Sequence, residues 1–147
     1  MKRILGVVAL FIALGGAQMV MAHHPFSSEF DLKKPMTLNG TVTRYSWVNP
    51  HATIDVKSVE GRAADETWTV ELDAAAELGK IGWDKTSVKP GDRITAEGWV
   101  AKDGSHMLGA SSVKLAGGKT LAATSTFYEA TKQGNEQWKA AEHTAPK

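Results

Sequence analysis

The sequence predicts an all-β domain, a five-stranded OB-like Greek-key barrel with one small helix. Three observations lead there. Five stretches alternate apolar and polar residues with the two-residue period of a half-buried strand. Turn-forming residues separate them: Asn49-Pro50, the polar run 60–66, Pro90-Gly91 and Asp103-Gly104. A single alanine-rich segment of helical character stands between the third and fourth stretches, giving the order β-β-β-α-β-β. Closing such a sheet removes the exposed edges that a small β domain would otherwise present. An open sandwich or a meander is the alternative.

Each element follows from its residues. Residues 23–35 carry few periodic apolar positions and end in Lys33-Lys34-Pro35, so they read as an extended N-terminal arm. In 36–48, Leu38, Val42 and Val48 share one parity, while Thr41, Thr43, Tyr45 and Trp47 share the other. That is a long strand, and its internal Gly40 predicts a bulge or bend. In 51–59, Ala52, Ile54 and Val56 point one way and His51, Thr53, Asp55 and Lys57 the other. The third strand, 67–73, presents Trp68, Val70 and Leu72 on one face. Asp73 can then cap a short helix rich in alanine, which Gly79 or Gly82 can stop. Residues 93–101 form the fourth strand, with Ile94, Ala96, Gly98 and Val100 inward, and 107–115 the fifth. Residues 116–123 suggest a glycine hairpin with a short sixth strand. Residues 126–147 are polar, with a helical stretch around Trp138, so the C-terminal tail reads as partly helical.

Residues 1–22 have the form of a secretory signal peptide. Lys2 and Arg3 precede an apolar run over 4–17, and Val20-Met21-Ala22 offers a cleavage site. The run is short of the roughly 20 residues that span a bilayer, so no membrane span is expected after cleavage. Cleavage after Ala17 is the competing position. The expected organisation is a signal peptide (1–22), an arm (23–35), an OB-like barrel (36–122) and a C-terminal tail (123–147). The expected location is the periplasm, or the exterior.

The full chain has 17 basic and 16 acidic residues; loss of Lys2 and Arg3 leaves one more acid than base. That near-neutral balance gives no electrostatic reason to expect nucleic acid as a partner. Cysteine is absent, which excludes disulfides, thiolate metal sites and thiol catalysis.

The stretches AHHPFSSEFD, LNGTVTRYSWVNPHATI, KPGDRITAEGW and KDGSHMLGASSVKL together resemble a family of small exported bacterial proteins of unknown function. Its members open the mature chain with Ala-His-His-Ser-Phe and carry a Trp-Val-Asn-Pro-His turn. The likeness covers roughly residues 22–122. It implies export and an OB-like domain, and it implies no activity. Pro25 stands where serine is usual, and the tail bearing Trp138 has no counterpart in the family core.

The histidines carry the chemistry. Cleavage after Ala22 would make His23 the first residue, so that its α-amine and ring Nδ1 could chelate one ion. An α-amine titrates near ~8 and an imidazole near ~6.5, so a metal can displace both protons around neutral pH. His24 adds a second ring. Pro25 has no backbone N–H, so an amide chelate cannot extend through it. His51, just past the Asn49-Pro50 turn, is the expected third ligand, and Asp55 on its face could orient a ring as a carboxylate partner. The 23–36 arm, about 43–50 Å when extended, can run back along a first strand of roughly 36 Å to reach His51.

Nitrogen ligands without thiolate favour Cu(II), then Zn(II) or Ni(II). His106 and His143 read as solvent-facing, and Glu71 and Asp73 as solvated strand carboxylates. Trp47 and Trp99 lie opposite the small apolar rows of their strands and form a candidate ligand face. The reading is therefore an exported metal-binding protein using His23, His24 and His51. The alternative is a non-metal OB-type module that binds a small ligand or an envelope protein. No nucleophilic triad, phosphate loop or paired acid–base constellation argues for an enzyme.

Overall fold

A computed structural model describes residues 26–60 and 64–127. The signal peptide, His23, His24, His143 and the helix expected around Trp138 lie outside the described residues.

The alternating stretches form strands where their periodicity places them. A helical turn, α1 (Phe26–Glu29), leads into β1 (Phe30–Ser46); β2 (Thr53–Ser58) and β3 (Thr67–Glu71) follow. The short helix α2 (Ala75–Leu78) continues into a 3-10 turn, Gly79–Ile81. The chain then adds β4 (Arg93–Ala101), β5 (Met107–Lys114) and the short β6 (Thr120–Ala122). Hydrogen-bonded neighbours run β3-β2-β1-β4-β5-β6, and a parallel pairing of β3 with β5 closes the ring. The domain is the expected OB-like barrel with a sixth strand added. β5 spends its first residues on β3 and its last on β6.

The inward parity is the predicted one. Leu38, Val42, Ala52, Ile54, Val56, Val70, Leu72, Ile94, Ala96, Leu108, Ala110 and Val113 form the buried core. Each fully buried Val, Leu or Ile contributes roughly 1.5–3 kcal/mol relative to exposure. Leu78 and Trp83, from the β3–β4 connection, belong to the same core, and Trp83 Nε1 donates to Ala122 O at 2.7 Å. The first turn of α2 is served by the loop before β2: Ala76 N donates to Asn49 Oδ1 at 3.3 Å. Asp73 does not cap it in the expected way; the N-cap position is Ala74, which has no side-chain cap. Gly82 ends the 3-10 turn with φ +97°.

Three expectations are corrected. The arm does not stay extended and apart to residue 35, because residues 26–29 are helical and residues 30–35 already belong to β1. Phe30 is 1% exposed, so burial of one aromatic ring sets the start of the strand. The irregularity in β1 falls between Val42 and Arg44 in the pairing with β2, not at Gly40. Gly40 instead permits close strand approach, since a Cβ there would stand 2.5 Å from Lys57 O and clash with Val56. Val48, placed in the strand 36–48 on the parity of Leu38 and Val42, is 52% exposed because β1 ends before it.

Two glycine substitutions test this packing in opposite directions. Gly40→Ala is expected to destabilise the fold by about 1–3 kcal/mol, as overpacking does. Gly79, exposed and with φ −58°, has open space around it, so Gly79→Ala should stabilise by about 0.4–1 kcal/mol. Urea denaturation of the two variants beside the parent measures both.

Candidate functional site

The register of the barrel wall places chemistry at one mouth. Around the ring, Pro35 pairs with Trp99, Trp99 with Gly109, Gly109 with Glu71, Glu71 with Thr53, and Thr53 with Ser46. The first half of the 17-residue β1 pairs with β4 and its second half with β2, so the strand belongs to both flanks of the ring. A cavity of about 480 Å³ opens there. Phe26, Phe30, Trp99 and Phe127 form its apolar side; Glu29, His51, Glu71 and Asp73 form its charged side.

The aromatic side rests on a glycine. Phe26 and Phe30 lie 4.6 Å apart between ring centroids, and Phe26 meets Trp99 edge-on at 5.8 Å. A Cβ on Gly109 would stand 2.6 Å from both phenylalanine rings, so only the bare backbone at this point of β5 leaves room for them.

The charged side is organised around His51. Its Nδ1 lies 3.2 Å from Glu71 Oε1 and 3.3 Å from Leu72 O. The Glu71 side chain is 16% exposed against 39% for His51. Burial raises the Glu71 pKa, nearby Glu29 adds to the rise, and His51 opposes it. Asp73 behaves differently. Burial works against its charge, but hydrogen bonds from Ser125 and Ala74, with His51 nearby, outweigh it and lower its pKa. Ser125 donates through both N (3.1 Å) and Oγ (2.9 Å) to Asp73 Oδ2, and Ala74 N donates to Oδ1 at 2.8 Å. Those bonds dock residues 123–127 beside the mouth and bring Phe127 to the cavity.

Of the residues singled out in the sequence, His51 and Trp99 line the cavity. Trp47 does not; it packs edge-on to Tyr45 at 5.9 Å. Trp47 and Trp99 therefore do not form one ligand face. Asp55 is not the partner of His51. The strand register sets it against Arg44 and Thr69, whose Nε and Oγ1 donate to it at 2.8 and 3.1 Å. Glu71 takes the expected role, being diagonal to His51 on the neighbouring strand, and it is not the solvated carboxylate its spacing suggested. The sequence did hold one signal for it: Glu71 shares a face with Thr69 and Asp73 beside the strand that His51 leads into. His106 stacks on Trp68 at 5.0 Å with its side chain 52% exposed, in keeping with a solvent-facing position.

Among the described residues, no group of three or more His, Asp or Glu side chains is arranged to hold a metal ion. No described helix is long and apolar enough to cross a membrane.

The cavity opens on a small all-β domain whose sheet closes into a barrel. The chain belongs to a family of unknown function (DUF6152), whose model matches residues 12–110. No curated protein and no solved structure matches it.

The Asp73–Ser125 contact has a pH signature. A carboxyl whose folded pKa is depressed adds stability above its unfolded pKa and loses it as pH falls through the folded value. Asp73→Asn should therefore lower the melting temperature at pH 7, with the difference from the parent closing as pH drops below about 4. Melting curves from pH 7 to pH 2.5 read this directly; a constant difference over that range would contradict it.

Proposed function

We propose that the protein is an exported, periplasmic metal-binding protein that holds a divalent ion, copper first, through His23, His24 and His51. The observation that carries this reading is the His51–Glu71 pair inside a cavity that Phe26 also lines. A carboxylate on one ring nitrogen fixes the orientation of an imidazole, as the carboxylate partners of metal-ligating histidines do. His24 precedes Phe26 by two residues, and consecutive Cα atoms are about 3.8 Å apart, so the chain itself limits how far the His-His pair can stray from the cavity. Phe26, Glu29 and Phe30, at the start of the described chain, line the same cavity as His51, so on this reading the arm need not run back along β1. The ion would be held by neutral imidazoles and the α-amine of His23, a donor set suited to Cu(II). The role is a carrier, buffer or sensor rather than a catalyst.

Intact mass of protein recovered from the periplasm tests the cleavage after Ala22. Copper titration then compares that protein with a form bearing one extra residue before His23, with His51→Ala and with Glu71→Gln. The extra residue and His51→Ala should each weaken binding by at least about 100-fold, and Glu71→Gln by about 10–100-fold, as loss of a ligand's carboxylate partner does. Equal affinity across all four proteins would refute the reading.

A second reading, a module that binds a small organic ligand, is favoured by the apolar side of the same cavity. At about 480 Å³ it falls within the roughly 300–1,000 Å³ of small-molecule sites.

A further inference from the structure

The cavity has a property that the metal reading does not use. Phe26, Phe30 and Trp99 make a continuous aromatic surface, with Phe127 also lining the cavity. The polar lining contains three carboxylates, Glu29, Glu71 and Asp73, against the one imidazole of His51. Among the described residues, no lysine or arginine lines it. An anionic ligand would meet three carboxylates there against one imidazole, itself paired with Glu71. A neutral apolar ligand would leave the carboxylates facing a desolvated group that cannot donate to them, which costs free energy. A cation carried on an apolar body meets both halves: its charge faces the carboxylates, and its body covers the rings. Aromatic faces add attraction for a cation within about 6 Å of the ring centroid.

We infer that this mouth binds a small organic ammonium ion with an aromatic or branched apolar body, the body on Phe26, Phe30 and Trp99 and the ammonium toward Glu71 and Glu29. The inference rests on the second reading above and names its ligand class. Asp73 is already engaged by Ser125 and Ala74, so it contributes charge more than hydrogen bonds. Glu71, held at 16% exposure, supplies the acceptor deepest in the wall, and Glu29 closes the rim from α1.

Isothermal titration of the purified protein in excess EDTA tests this apart from any metal. Three probes of one shape are compared: phenethylammonium, phenethyl alcohol and phenylacetate. Phenethylammonium should bind about tenfold or more tighter than the alcohol, and phenylacetate more weakly than both. Glu71→Gln and Glu29→Gln should each weaken the ammonium by about three- to tenfold and leave the alcohol within about twofold. The alcohol arm serves as the folding control for both variants, and Glu29, on the rim, can be changed without touching the barrel wall. Equal binding of ammonium and alcohol would overturn the cation inference while leaving a small-molecule site in place. Absence of binding by all three probes would overturn both.

Discussion

The parallel pairing of β3 with β5 is the contact on which the rest of the molecule depends. It is short, running from Thr69 opposite Met107 to Glu71 opposite Gly109. Without it the sheet would be an open ribbon with β3 at one edge. With it the sheet becomes a ring, and the ring alone has a mouth. The same few residues close the barrel and set its chemistry. Glu71 is fixed beside Gly109, and Gly109 is where Phe26 and Phe30 lie down. A carboxylate on β3 thus comes to face an aromatic surface belonging to α1, β1 and β4, none of which is hydrogen-bonded to β3.

Burial then separates the two carboxylates at that mouth. Glu71 and Asp73 are two residues apart, and both lose water. Asp73 recovers that loss through three hydrogen bonds from Ser125 and Ala74, which favour its charged form. Glu71 has the imidazole of His51 in their place, and burial remains its dominant influence. Two acids of nearly identical sequence context therefore differ in their ease of ionisation. One ties the chain after β6 to the barrel; the other faces the cavity and holds a histidine.

That histidine connects the two halves of the functional reading. A ring fixed at one nitrogen by a carboxylate and a backbone carbonyl loses little freedom when its other nitrogen takes a ligand. The arrangement favours a metal when further nitrogens arrive, as the His23-His24 pair could supply. The aromatic floor beside it is indifferent to metals and suits an apolar body. The proposed metal and the proposed organic cation would both answer to the negative character of the mouth, but would use different walls of it. For that reason the two can be tested apart on the same protein.

How much of this was legible in the sequence depends on the range of the interactions involved. Strand positions, inward parity and the β-β-β-α-β-β order follow from local alternation and turn residues, because a strand's two faces are set by its own residues. The absence of cysteine and the near-neutral charge likewise belong to the chain alone. His51 could be singled out by its place after Asn49-Pro50, and Trp99 by its parity. The start of β1 was misplaced because it is set by burial of Phe30 over β5, a contact across nearly 80 positions. Asp55 looked like the partner of His51 because it shares a strand face with it. Register gave Asp55 to Arg44 and Thr69 and gave His51 to Glu71. A one-residue slip of β3 against β2 would have turned Glu71 and Thr69 to the other face, and no local pattern specifies pairing between distant strands. The sequence by itself determined which residues face inward and which types of ligand atom exist. Only the closed tertiary structure decided which of them meet, since a barrel's mouth is assembled from strand ends that become neighbours when the last pair of strands joins.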